Sequence, residues 1–153
     1  MRRRFLWIVI SRSNILHDLA SAFVVSFINK KAQTSFNLTK DIFCDYDAEE
    51  DRYIAEIKIR NTYYETCLLE YEKYEKNIQN AINSKKQFLY IVVMSDTFYI
   101  FNLTKLAIKK YNFRWQKKNL PKNTHFGGEE NQKNKLIGYI HTSISKKYKW
   151  INF

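Results

Sequence analysis

The run QFLYIVVM, from Gln87 to Met94, constrains the fold more than any other stretch: after Gln87 every residue is apolar. A strand with one wet face alternates apolar and polar side chains, so an unbroken run reads as a strand covered on both faces. Such a strand needs a sheet around it and a further layer on each side. The 153 residues suffice for one domain with a core of that kind, and a hydrophobic content of 45% supplies the side chains to fill it.

The flanking sequence supplies the layers. SRSNILHDLASAFVVSFINKK reads as an opening helix capped by Ser13 or Asn14, with Ile15, Leu19, Ala22, Phe23 and Phe27 on one face. Between Asp41 and Arg60, Ile42, Cys44 and Tyr46 alternate with polar residues, AEED forms a turn, and RYIAEIKIR alternates again. That pattern predicts a β-hairpin. TYYETCLLEYEKYEKNIQNAINSKK reads as a long helix with Leu68, Tyr71, Tyr74, Ile78 and Ile82 lining its buried face. FYIFNL follows the apolar run as a second strand, and a short helix starts at Thr104. YNFRW is expected to be a strand, residues 116–135 a loop, and LIGYIHTSI a last strand. The fold class is α/β: a mixed β-sheet flanked by helices. Glycine occurs only at 127, 128 and 138, so Asn, Asp and Ser must make most turns.

The net charge of +11 is unevenly placed. Asp18 is the only acid before Asp41, and no acid falls between Thr97 and Gly128. That second stretch holds Lys105, Lys109, Lys110, Arg114, Lys117, Lys118 and Lys122. A basic body around an acidic centre suits a polyanionic partner whose backbone approaches a cation site. In KKYNFRWQKKNLPK, cations interleave with Tyr111, Phe113 and Trp115. The aromatics are expected to face the core, and Lys109, Lys110, Arg114, Lys117, Lys118 and Lys122 to contact phosphate.

Alternation along RYIAEIKIR puts Glu56 and Lys58 on one face and Ala55, Ile57 and Ile59 on the other, in the core. With the turn centred on Glu49 and Glu50, Asp41 lies opposite Lys58 and diagonal to Glu56. Two facing carboxylates repel unless a cation lies between them, and hard oxygen ligands with room for water are what Mg²⁺ requires.

Here the sequence resembles the PD-(D/E)XK nuclease superfamily, which includes restriction endonucleases and Holliday-junction resolvases, and within it small phage-encoded members. KDI at 40–42 stands where that family has PD, and EIK at 56–58 stands for (D/E)XK. The order helix, hairpin, helix, buried strand also matches; the resemblance spans about residues 13–103. It implies a restriction endonuclease-like α-β-β-α-β-β core over about 13–108 within a single nuclease-like domain, with a basic extension over 109–153. It implies a Mg²⁺- or Mn²⁺-dependent endonuclease acting on double-stranded or branched DNA. Asp41, Glu56 and the carbonyl of Ile57 would hold the metal, and Lys58 would position or activate the attacking water. Asp45 and Asp47 are alternatives to Asp41. Lysine replaces the family's proline, and Glu70 with Tyr74 occupies the spacing of a Gln-x-x-x-Tyr motif found in some branches. A homodimer is expected by analogy. The alternative is a nucleic-acid-binding or virion-associated protein of the same fold without activity.

Other chemistries fit less well. His17, His125 and His141 lack neighbours at metal-ligand spacing, Cys44 and Cys67 read as reduced thiols, and FGGEE lacks the lysine of a phosphate loop. After the basic opening MRRR the apolar run is too short for a signal peptide or membrane span, so a cytoplasmic protein is expected.

Overall fold

The computed structural model describes residues 14–41, 43–121 and 132–149. Lys122, His125, the FGGEE segment, Ser13 and the amino-terminal arginines lie outside them, as do the side chains of Ile15, His17 and Asp18.

Elements follow in the order α1 (Asn14–Ala32), β1 (Asn37–Leu38), β2 (Ala48–Glu49), β3 (Tyr53–Arg60), β4 (Thr66–Glu70), α2 (Tyr71–Asn83), β5 (Gln87–Met94), β6 (Thr97–Asn102), α3 (Leu103–Ile108), β7 (Gln116–Pro121), β8 (Gln132–His141), a 3₁₀ turn (Thr142–Ile144) and β9 (Lys146–Lys149). The apolar run is β5, third from one edge of a six-stranded sheet ordered β1-β2-β3-β5-β6-β9. Its pairing with β3 is parallel and the other pairings in that sheet are antiparallel, so the sheet is mixed. A parallel pair needs a long crossover, and β4 with α2 supplies it. β4, β8 and β7 form a second, antiparallel sheet.

Both faces of β5 are covered, as its sequence requires. Helix α1 packs Val24, Val25, Phe27 and Ile28 onto Ala55, Ile57, Leu89, Ile91, Val93 and Phe98. The Phe27 and Phe98 rings stack with centroids 4.2 Å apart. The expected helix face is displaced: Leu19 and Phe23 are exposed, while Ala20, Val24 and Ile28 are buried. This helix is apolar almost all round, so spacing could not choose the side that the sheet selects. On the opposite face, Ile54, Phe88, Tyr90, Val92, Met94 and Phe101 meet Ala81 of α2, Leu103 of α3, and Cys67, Leu69 and Ile140 of the second sheet.

Three expectations are corrected. The segment read as one long helix starts as a strand, because TCLLE alternates and pairs with β8 through Thr66↔His141 to Glu70↔Ile137. Consequently Ile82 is exposed, and Asn77 and Ala81 are the buried residues of α2. YNFRW is not a strand: Phe113 is buried, and Tyr111 and Trp115 pack against the core without a ladder. The strand lies just beyond it, at β7, inside the stretch read as loop. β8 passes this segment so closely that a Cβ at Gly138 would lie 2.8 Å from Trp115 and 2.9 Å from Phe113. Glycine is required there by space. Residues of the basic carboxyl-terminal stretch thus enter both sheets, with β9 closing an edge of the larger one against β6. Among the described residues no helix is long and apolar enough to cross a membrane.

Candidate functional site

β3 carries its side chains as alternation requires. Ala55 and Ile57 are buried against α1, whereas Glu56 and Lys58 share the other face, with Lys58 Nζ 2.9 Å from Glu56 Oε1. A side chain from α2 joins them: Lys73 Nζ donates to the same oxygen at 3.2 Å. The Glu56 side chain is only 4% exposed, against 30% for Lys58 and 48% for Lys73. Both ammonium groups therefore reach from solvent onto one buried carboxylate.

The other oxygen, Glu56 Oε2, is buried and has no hydrogen-bond partner among the described residues. A buried carboxylate oxygen without a donor carries a desolvation cost that a cation would offset.

The hairpin before β3 differs from expectation. Its turn lies between Glu50 and Tyr53, where Glu50 N–H donates to the Tyr53 carbonyl at 2.9 Å. The pairing is Ala48↔Ala55 and Glu49↔Ile54. Continued by one residue, this register brings Asp47, and not Asp41, opposite Glu56. Asp47 N–H donates to the Ala55 carbonyl at 2.9 Å, and Ile57 N–H donates to Asp47 Oδ2 at 2.7 Å. Asp41 does not face Lys58. It is exposed in a loop, where its Oδ1 accepts from Phe43 N–H at 2.9 Å and its carbonyl accepts from Cys44 N–H. That turn is a common use of Asp, and residues 41 and 43–46 belong to no strand. Asp45 is turned toward α2, where Lys76 Nζ lies 3.0 Å from its Oδ1 and Asn77 Nδ2 donates to its carbonyl. Of the three aspartates that the sequence offered, Asp47 is the one beside Glu56.

The electrostatics show that the cluster is a unit. Burial pushes the Asp47 carboxyl above its ordinary value; the Ile57 N–H bond opposes this, and the Glu56 charge adds to it. Burial also works against the Lys73 ammonium, but the charge of Glu56 and its hydrogen bond outweigh it and hold Lys73 above its usual value. Tyr90, paired with Glu56 across β3 and β5, is kept protonated by burial and donates to the Leu68 carbonyl at 2.9 Å. Glu70 borders the cluster but is held by Lys135 Nζ at 3.0 Å, and Tyr74 turns into the aromatic group of Phe113 and Trp115.

Lys73 was not singled out, and Asp47 entered only as an alternative to Asp41. One signal for Asp47 was the length of the turn; for Lys73 it was position, three residues into α2 on the face turned toward β3, but only with that helix starting at Tyr71. Among the described residues no group of three His, Cys, Asp or Glu side chains gathers into a metal cage. The donor set at hand is two carboxylates and the backbone beside them. Oxygen donors of this type suit Mg²⁺ or Mn²⁺, which keep several waters and take phosphate oxygens as further ligands.

The expected phosphate contacts lie elsewhere. Lys109 and Lys110 are exposed just past α3, Arg114 is exposed beside buried Phe113, and Lys117 and Lys118 are exposed on β7, an edge of the second sheet.

No family model matches the chain, and no curated protein does. Among solved structures it is similar to Hjc, a Holliday junction resolvase from the archaeal hyperthermophile Archaeoglobus fulgidus. The similarity has a TM-score of 0.47 at 12% identity and covers 81% of this chain and 84% of that one.

Proposed function

We propose that the protein is a metal-dependent nuclease whose centre is Asp47, Glu56, Lys58 and Lys73, acting on double-stranded or branched DNA. The observation that carries the reading is Glu56: a buried carboxylate with two lysines on one oxygen and, among the described residues, no hydrogen-bond partner on the other. A merely structural ion pair would engage the second oxygen or leave it in water. Asp47, Glu56 and the Ile57 carbonyl would hold the divalent ion. When bound, it polarises a phosphodiester and makes a water more acidic.

The chain's own groups have separable tasks. Asp47 is oriented by the Ile57 N–H, which fixes the carboxylate relative to β3. Lys58, the more exposed end of the Glu-x-Lys pair, orients the attacking water. Lys73, whose charge the Glu56 carboxylate secures, neutralises charge on the phosphoryl oxygens. Water adds to phosphorus, one P–O ester bond breaks, the nucleophile's proton passes to solvent, and the leaving oxygen takes one back. Lys109, Lys110, Arg114, Lys117 and Lys118, with Lys122 beyond the described residues, serve as backbone contacts that position the polyanion without reading sequence.

The test is incubation of plasmid or branched DNA with Mg²⁺ or Mn²⁺ and with EDTA, alongside Glu56→Gln and Lys58→Ala. Metal-dependent cleavage lost in both variants is the expected result. Salt-sensitive DNA retention by every version, with cleavage by none, supports the nucleic-acid-binding alternative instead.

A further inference from the structure

Phe43 is 85% exposed, whereas the phenylalanines at 27, 36, 88, 98, 101 and 113 fill the core and Phe23, at 45%, is half-covered. An aromatic ring held in water is uncommon enough to call for a use. The described residues around it are tied to one another and to α2. The Asp41 turn, the Thr39–Asp47 backbone bond, the Lys76–Asp45 pair and the Asn77–Asp45 bond make these ties. Beside the ring lies a shallow, open depression of about 420 Å³, lined also by Tyr46 from the loop and by Asn80, Asn83 and Ser84 at the end of α2. Neither the Asn80 nor the Asn83 side-chain amide has a hydrogen-bond partner among the described residues. Each amide both donates and accepts.

We propose that this depression receives one unpaired nucleobase of the substrate, stacked on Phe43 and hydrogen-bonded at its edge by Asn80 and Asn83. The inference rests on the nuclease reading for its substrate class and adds that the nucleic acid is engaged where a base is out of its stack. A π-face accepts any base, and side-chain amides recognise the polar edge that unpairing exposes. The position is set by α2. Asn80 is seven residues beyond Lys73 and Asn83 ten, hence about 10 and 15 Å along the axis at about 1.5 Å per residue. A strand rising about 3.4 Å per nucleotide covers that distance in three or four steps. The unpaired base is thus three or four nucleotides from the bond at the Glu56 cluster. A perfect duplex, with its bases stacked, offers the depression nothing.

The experiment places 2-aminopurine, whose fluorescence rises on unstacking, at successive positions of a four-way junction and of a matched duplex, with full-length protein in EDTA so that nothing is cut. A rise confined to junction positions three or four nucleotides from the bond cut in Mg²⁺ is expected. Phe43→Ala should abolish it and weaken junction binding about tenfold, leaving duplex binding and the melting temperature unchanged; Phe43→Trp should restore both. Junction binding by Phe43→Ala equal to that of the natural protein, or a signal indifferent to position 43, overturns the inference and leaves the nuclease reading standing. A Phe43-dependent signal from a protein that never cuts supports the base site and removes the nuclease.

Discussion

The two faces of β3 are made from adjacent residues and treat burial in opposite ways. Toward α1, Ala55, Ile57 and their neighbours Leu89, Ile91 and Phe98 form an apolar layer. Toward α2 the strand starts apolar at Ile54 and then buries Glu56. The first face contributes stability through area removed from water. The second buries two carboxylates whose charges oppose each other, a cost that the two lysines offset only in part. One layer of the protein is built for cohesion, and the layer it supports is held in an arrangement that cohesion alone would not select.

The largest expected effect breaks the apolar side. Phe98→Ala removes a fully buried ring stacked on Phe27. It should cost about 3–5 kcal/mol, read as a shift of the denaturant midpoint, with residual activity falling only as the folded fraction falls. Glu56→Gln should do the reverse. The shape stays, cleavage drops about 10²–10³-fold, and the midpoint stays or rises because a buried charge is gone. A Glu56→Gln protein that unfolds like Phe98→Ala would show that the two faces do the same job.

Lys73→Met keeps much of the aliphatic stem and removes the second cation from Glu56. Activity should fall about tenfold or more through the lost charged hydrogen bond, with Lys58 still in place. Asp47 gives a pH signature. Its folded carboxyl holds a proton more tightly than an ordinary one, mainly through burial. Above the ordinary carboxylate value and up to the raised one, the folded state therefore binds more protons, and stability falls as pH rises. In EDTA, Asp47→Asn should flatten that part of the stability–pH curve, since the amide oxygen can still accept from Ile57 N–H. An unchanged curve would remove Asp47 from the buried charged layer.

The same contrast decided what the sequence could show. Period-two alternation places Ala55, Ile57 and Ile59 opposite Glu56 and Lys58 without further information, and the apolar run fixes β5 between two covered faces. Register does not follow from alternation. Three acids in AEED leave several equally polar turns, and the observed pairing depends on the Asp41 loop folding onto α2 through Asp45. That long-range contact selects Asp47. Lys73 was hidden for a related reason. YETCLLEYEK supports helical spacing throughout, but β8 claims Thr66 to Glu70 as a strand and so resets which side of α2 faces Glu56.

The smallest expected effect concerns cations that belong to neither face. Lys117 and Lys118 are exposed on an edge strand, and among the described residues Lys118 Nζ has only the Tyr139 hydroxyl, at 3.2 Å, as a hydrogen-bond partner. They lie in water and carry no burial cost, unlike Lys73. Lys117→Ala and Lys118→Ala should leave the melting temperature unchanged and weaken DNA binding only a few-fold, equally for all sequences. Each phosphate contact removed should reduce the slope of log affinity against log salt by about 0.9. A loss confined to one sequence, or a slope that does not move, would take the second sheet out of the nucleic-acid path and leave cation contacts to the Glu56 side of the molecule.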